Sequence, residues 1–170
     1  LQEKELKPAE KMILRAINGG NGFLHEALRK QDIVPHSGRR AVKLGVSDVA
    51  YGWTDGRSFI ALDRRHAALV RNGIGGCYQV AMTLLHEYLH DTADTGSHTH
   101  DHAFYEAFHD LASHDGLDPV GRCATKIHKT VAAELRKAER APNQKMLLQE
   151  DNEAVTDRLG SRLDLGENAA

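Results

Sequence analysis

Two histidines four residues apart, set in an apolar run, constrain this chain more than any other feature: His86-Glu87-Tyr88-Leu89-His90, preceded by Val80-Ala81-Met82-Thr83-Leu84-Leu85. The pattern predicts an amphipathic helix from about residue 77 to residue 91, with both imidazoles on one side, one turn apart. Leu84, Leu85, Tyr88 and Leu89 supply apolar surface that can hold the helix against a core. Two imidazole nitrogens at this spacing suit one zinc ion, at about 2.0–2.1 Å each. Glu87 is displaced by about 100° around the helix, outside the coordination sphere but within reach of a water beside it. That is the position of a general base for hydrolysis of a carbonyl compound. The blander alternative is a pair of solvated helix histidines, and eleven histidines in the chain raise the rate of chance matches. The independently argued helix, and the His-rich segment behind it, favour the metal.

With 170 residues, 41% hydrophobic and 27% charged, the chain is long enough for one domain with a sizeable core and too short for two. A net charge of −2 and no long apolar run place it among globular proteins. No segment approaches the length needed to span a bilayer, so the expectation is a cytoplasmic protein without a membrane partner. The opening Leu1-Gln2-Glu3-Lys4 has no signal-peptide character, and reads as the start of a processed product or of a piece of something longer. Fusion to, or partnership with, a larger protein is therefore open. Cys77 and Cys123 form neither a CxxC pair nor a disulfide framework and are expected as buried free thiols in a reducing compartment.

A first helix is expected over residues 8–18, with Met12, Ile13, Ala16 and Ile17 inward, ended by Asn18-Gly19-Gly20-Asn21-Gly22. A short second helix follows over 23–30, with Phe23, Leu24, Ala27 and Leu28 inward and His25 on the surface. Pro35-His36-Ser37-Gly38 reads as a loop. Runs 41–46, 49–53 and 58–62 read as strands, with Asp55-Gly56 as a hairpin turn and Tyr51 and Trp53 as core or cleft-wall aromatics. Asp63 is a candidate N-cap for a helix through Val70. Gly73-Ile74-Gly75-Gly76 lacks the frame of a nucleotide loop and reads as a hinge or tight turn before the zinc helix. Helices are expected again at 101–113, with Phe104, Phe108 and Leu111 apolar, and from Asp118-Pro119 to about 140.

The fold class is α+β: a small antiparallel or mixed sheet packed on helices around the zinc helix. Residues 1–148 form the domain, with a core at about 41–114, and 149–170 are an acidic, mobile tail. The net +5 run between Gly121 and Lys145 is read as a solvated face that a nucleic acid could also use. The acidic tail is read as a plain end, or as a loose cover for that face.

A catalytic zinc site needs a third protein ligand and an open position. His98, His100 and His102 all lie in the turn that leads back past the zinc helix, and spacing alone does not rank them. Glu106 is a fourth candidate. Asp91 and Asp94 could orient ligand imidazoles, though solvated surface acids read equally well. Tyr105 reads as a helix-packing residue that could also donate to an oxyanion.

Taken together, His86-Glu87-Tyr88-Leu89-His90, a turn with Gly96, and His100-Asp101-His102-Ala103-Phe104 resemble the SprT-like, minigluzincin-type zinc metalloproteases. The resemblance implies His100 as third ligand and Phe104 as the aromatic packed behind it. The 41–62 strands are similar to the active-site sheet of that family. It covers residues 41–114 and extends to protease-like domains of bacterial and phage proteins, some joined to ATP-binding modules. The metzincin pattern is not met, since Ala93 and Gly96 stand where its Gly and third His would be. Cys77 is on the approach to the same helix, unlike the cysteine ligand of peptide deformylases. The DNA-binding elements usual in SprT-type proteases are not evident. The leading expectation is zinc-dependent hydrolysis of a protein or peptide substrate, with His86, His90 and His100 on Zn2+ and Glu87 as base. A zinc-stabilised regulatory or interaction domain without proteolytic activity is the alternative.

Overall fold

The computed structural model describes residues 1–30, 38–90, 100, 102–113 and 118–140. Pro35, His36, Ser37, Asp91, Asp94, Gly96, His98, Asp101 and the 149–170 tail, all read above, lie outside the described residues. After a 3-10 turn at Glu3–Glu5 come α1 (Pro8–Lys30), β1 (Ala41–Gly45), β2 (Gly52–Thr54) and β3 (Phe59–Asp63). Then follow α2 (Arg64–Ala67), a 3-10 turn at Ala68–Arg71, α3 (Gly73–Leu89), α4 (His102–Ala112) and α5 (Pro119–Arg140). The fold is α+β, and no described helix is long and apolar enough to cross a membrane.

The sheet order is β1-β3-β2, with β1 parallel and β2 antiparallel to β3. Val42, Leu44, Ile60 and Leu62 alternate onto one buried face. That face joins Val80, Leu84 and Leu85 of α3, Met12, Ile17 and Leu24 of α1, and Ile127 and Val131 of α5 in one apolar core. The apolar core thus draws on α1 and α5 as well as on the sheet and α3. Asp63 caps α2 as its position suggests, accepting from the backbone N–H groups of Arg65 and His66 at 3.0 and 3.3 Å. Cys77 and Cys123 are both buried free thiols, their pKa values pushed up by burial to about 11 and about 12.

Besides the second strand, expected over 49–53 and formed only at Gly52–Thr54, two expectations are corrected. The first concerns residues 18–22, which do not end a helix: α1 runs unbroken through them. Three helical glycines cost about 1 kcal/mol each relative to alanine, so tertiary contacts must hold this stretch. Asn18 supplies one, since its side chain donates to the Val42 carbonyl and accepts from the Val42 N–H, both at 3.1 Å. Buried Asn21 donates to the Arg40 carbonyl at 2.8 Å. At Gly20, a Cβ would meet Ile127 Cγ1 at 2.6 Å and the Cys123 carbonyl oxygen at 2.8 Å. Gly20 lets α1 approach α5 closely, and Ala9 packs on Ala138 at the other end of this antiparallel pair. Phe23, expected inward, is exposed.

The second correction is at residues 73–76. Gly73, at φ +76°, makes the turn, but Gly75 and Gly76 already belong to α3. A Cβ on Gly76 would sit on the Leu69 carbonyl oxygen, so the absent side chain allows the 3-10 turn to pack on the start of α3. At its other end α3 stops at Leu89, short of the expected Asp91, and His90 is extended at φ −74°, ψ 119°.

Gly20→Ala should lower unfolding free energy by roughly 1–3 kcal/mol, because overpacking outweighs the gain in helix propensity. Gly19, with nothing within 4 Å of its Cβ position, should instead gain up to about 1 kcal/mol on Gly19→Ala. Urea denaturation of the two variants checks the opposite signs, and a loss at both positions would mean that the segment tolerates no side chain at all.

Candidate metal centre

Thr83, His86, Glu87 and His90 stand at i, i+3, i+4 and i+7, so α3 presents all four to one side. That side faces a cleft of about 380 Å³ whose other walls are Ala50, Tyr51, Gly52, Trp53 and His100. Gly52 brings β2 against the helix: a Cβ there would meet Thr83 Cγ2 at 3.0 Å and Glu87 Oε1 at 3.2 Å. β2 is an edge strand of the three, and its Gly52 and Trp53 line the cleft.

Nε2 of His86 lies 3.3 Å from Nε2 of His90 and 2.9 Å from Nε2 of His100. All three ligand nitrogens fall within 4.8 Å of one another, the arrangement of a group able to hold a metal ion. Nitrogens at about 2.0–2.1 Å from a tetrahedral ion are about 3.3 Å apart, so the observed crowding fits one zinc. Imidazole donors select zinc over magnesium or calcium, which prefer oxygen.

Phe104 of α4 supports the three rings, with centroids at 4.9 Å from His86, 4.9 Å from His90 and 4.8 Å from His100. Among the third-ligand candidates within the described residues, only His100 joins the pair. His102 is 85% exposed and faces Glu106, Nδ1 to carboxylate oxygen at 3.4 Å, so both are elsewhere. Tyr105, read as a packing residue, is half exposed, its ring 6.1 Å from that of His100. His25, read as a surface residue, is half-buried, its ring 6.3 Å from that of Tyr88.

Burial acts oppositely on the two neighbours in the motif. It lowers the His86 pKa to about 4, helped by the charges of His90 and His100, so the imidazole is neutral and its lone pair is free for a metal at neutral pH. It raises the Glu87 pKa to about 7, against the pull of the Arg40 guanidinium. Arg40 was not singled out from the sequence. Fully buried, it donates from Nη1 to the Glu87 backbone carbonyl at 2.7 Å, and its guanidinium lies 5.3 Å from the Tyr88 ring centroid. The signal was parity: Arg40, Val42 and Leu44 alternate onto the same buried side.

Comparison of the chain with family models, curated proteins and solved structures returns no match.

The Glu87 shift carries a stability prediction for the metal-free protein. Its folded pKa of about 7 lies above the unfolded 4.5, so the folded state binds more protons between these values and loses stability as pH rises through them. Glu87→Gln removes that loss while leaving the His86 contribution in place. Metal-free Glu87→Gln should match wild type below about pH 4.5 and exceed it by on the order of 3 kcal/mol above pH 7. Denaturation midpoints across this range provide the check, and a pH-independent difference would refute the buried-carboxyl account.

Proposed function

We propose that this chain is a zinc-dependent peptidase, similar in its motif residues to the SprT-like, minigluzincin-type proteases. One arrangement supports the reading: three imidazole nitrogens and a buried carboxyl meet in one cleft beside an edge strand. A zinc ion held by His86, His90 and His100 would supply a Lewis acid that acidifies a water and polarises a carbonyl. Glu87 takes a proton from the attacking water and returns it to the leaving nitrogen. A carboxyl with a pKa near 7 suits both transfers at neutral pH. The edge of β2, which pairs with no further strand among the described residues, binds the substrate in extended form through backbone hydrogen bonds, which fixes its carbonyl against the helix without selecting a sequence. Arg40 holds the last turn of α3, and with it the spacing between Glu87 and His90.

Wild-type protein should take up about one zinc per chain. His100→Ala should weaken zinc binding by more than about a hundredfold, beyond what an outer-sphere partner contributes, while His102→Ala stays near wild type. Elemental analysis and competition with a chelating dye measure both, and a damaging His102→Ala with a harmless His100→Ala would reverse the ligand assignment.

Glu87→Gln should keep the zinc and the fold but lower turnover of an unfolded protein substrate by roughly 10²–10⁴-fold. Full turnover in this variant would remove Glu87 as the base. Zinc uptake by wild type with no cleavage of any peptide would favour the regulatory or interaction domain instead.

A further inference from the structure

Residues 46–51, between β1 and β2, combine two properties that rarely occur together. The first is a fixed backbone. Ser47 N–H donates to buried Asp63 at 3.0 Å, and Ser47 Oγ accepts from Ala50 N–H at 3.0 Å. The Ser47 carbonyl accepts from Arg65 Nη2 at 2.6 Å, and Arg65 also pairs with Asp48 at 3.3 Å. The second property is exposed apolar surface: Val46 is 61% exposed, Val49 97% and Tyr51 71%. These side chains add little to the core, yet their segment is held in place by hydrogen bonds.

Tyr51 is held at a second level. Its ring stacks on His66, with centroids at 4.8 Å and planes at 24°. His66 Nε2 is 2.8 Å from Thr83 Oγ1, and the Thr83 hydroxyl is within 3.1 Å of the Gln79 carbonyl. His66 Nε2 and Thr83 Oγ1 share a hydrogen bond whose direction follows the imidazole tautomer, and in either direction it fixes the plane of the ring against α3. Thr83 is one helical turn before Glu87 on the same side of α3. The stack therefore ties the rim to the helix that carries the histidines. Ala50, Tyr51 and Trp53 continue the same wall into the cleft.

We infer that this rim is the side-chain recognition surface of the cleft, and that its occupant is an extended polypeptide segment with a bulky apolar residue. Tyr51 lines the cleft, and Val46 and Val49 flank it in the same hydrogen-bonded loop. The inference rests on the peptidase reading for the nature of the occupant. Its continuity with the edge of β2 selects an extended chain: the strand reads backbone and the rim reads side chains on one side of the bound residue. Binding to such a rim loses little entropy, because the loop is already ordered.

Trp53, the only tryptophan in the chain, lies in the wall, so its emission reports occupancy without a label. Metal-stripped wild type is titrated with eight-residue, tryptophan-free peptides that carry a central Leu or Phe, or a central Ser or Asp. The apolar pair should bind at least about tenfold more tightly, the scale of burying one such side chain. Val49→Asp and Tyr51→Ala, both at exposed positions, should reduce that preference to near unity with unchanged circular dichroism. Equal binding of both peptide pairs to wild type, a preference that survives Val49→Asp, or no binding at all would overturn the rim. So would a wild-type dimer that Val49→Asp dissolves while peptides show no preference, since the occupant would then be a second copy. Zinc plays no part in this titration. A rim that passes beside a zinc-loaded protein that cleaves nothing would sink the peptidase reading alone, and active protein without a preference would sink the rim alone.

Discussion

A buried guanidinium holds the arrangement together. Arg40 precedes β1, yet its Nη1 reaches the Glu87 carbonyl in the last turn of α3, and its own carbonyl receives Asn21 of α1. Placing a cation in a core is costly unless it is well bonded. Here it meets the negative end of a helix and the face of Tyr88, both of which favour positive charge. The Glu87 carbonyl is one of the last four in α3, which lack partners within the helix, and Arg40 takes one of its lone pairs. The helix ends two residues later and His90 turns into extended backbone.

Close approach is the second constraint, and it is met by glycine at three places with different consequences. Gly20 lets α1 lie against α5, Gly76 seats the start of α3 on the preceding turn, and Gly52 draws β2 onto Thr83 and Glu87. The last forms one wall of the cleft. It also shields Glu87 from water, and burial raises the carboxyl while it lowers His86. The neutral imidazole and the carboxyl of raised proton affinity stand side by side but are covered by different elements, His86 by Phe104 and Phe108 and Glu87 by the approach of Gly52.

The helix of the motif, its amphipathic character and the partnership of His86, Glu87 and His90 were legible in the sequence. They depend on the 3.6-residue period and on side chains within one turn of each other. The cap at Asp63, the first and third strands and the long α5 were legible for the same reason: local hydrogen bonding and alternation carry them, whereas the second strand, expected over 49–53, forms at Gly52–Thr54. The break expected at 18–22 was a local inference of equal quality that failed. Glycine disfavours a helix by its own entropy, but Asn18, Gly20 and Asn21 each gain a partner from a distant segment, and that gain is invisible along the chain.

What the sequence by itself determined is the inventory of chemistry: two histidines and a glutamate on one helical face, and three histidines beyond a turn, any of which spacing allowed as a partner. Tertiary structure alone decided among the described candidates. It placed His100 against the pair and sent His102 outward to Glu106, because α4 packs Phe104 behind the three rings. It alone paired β1 with β3 in parallel and left β2 at the edge, an order that connection lengths do not dictate. It likewise turned Arg40 inward and stacked Tyr51 on His66. Each depends on contacts between residues far apart in the chain, and these exist only after the core has formed around them.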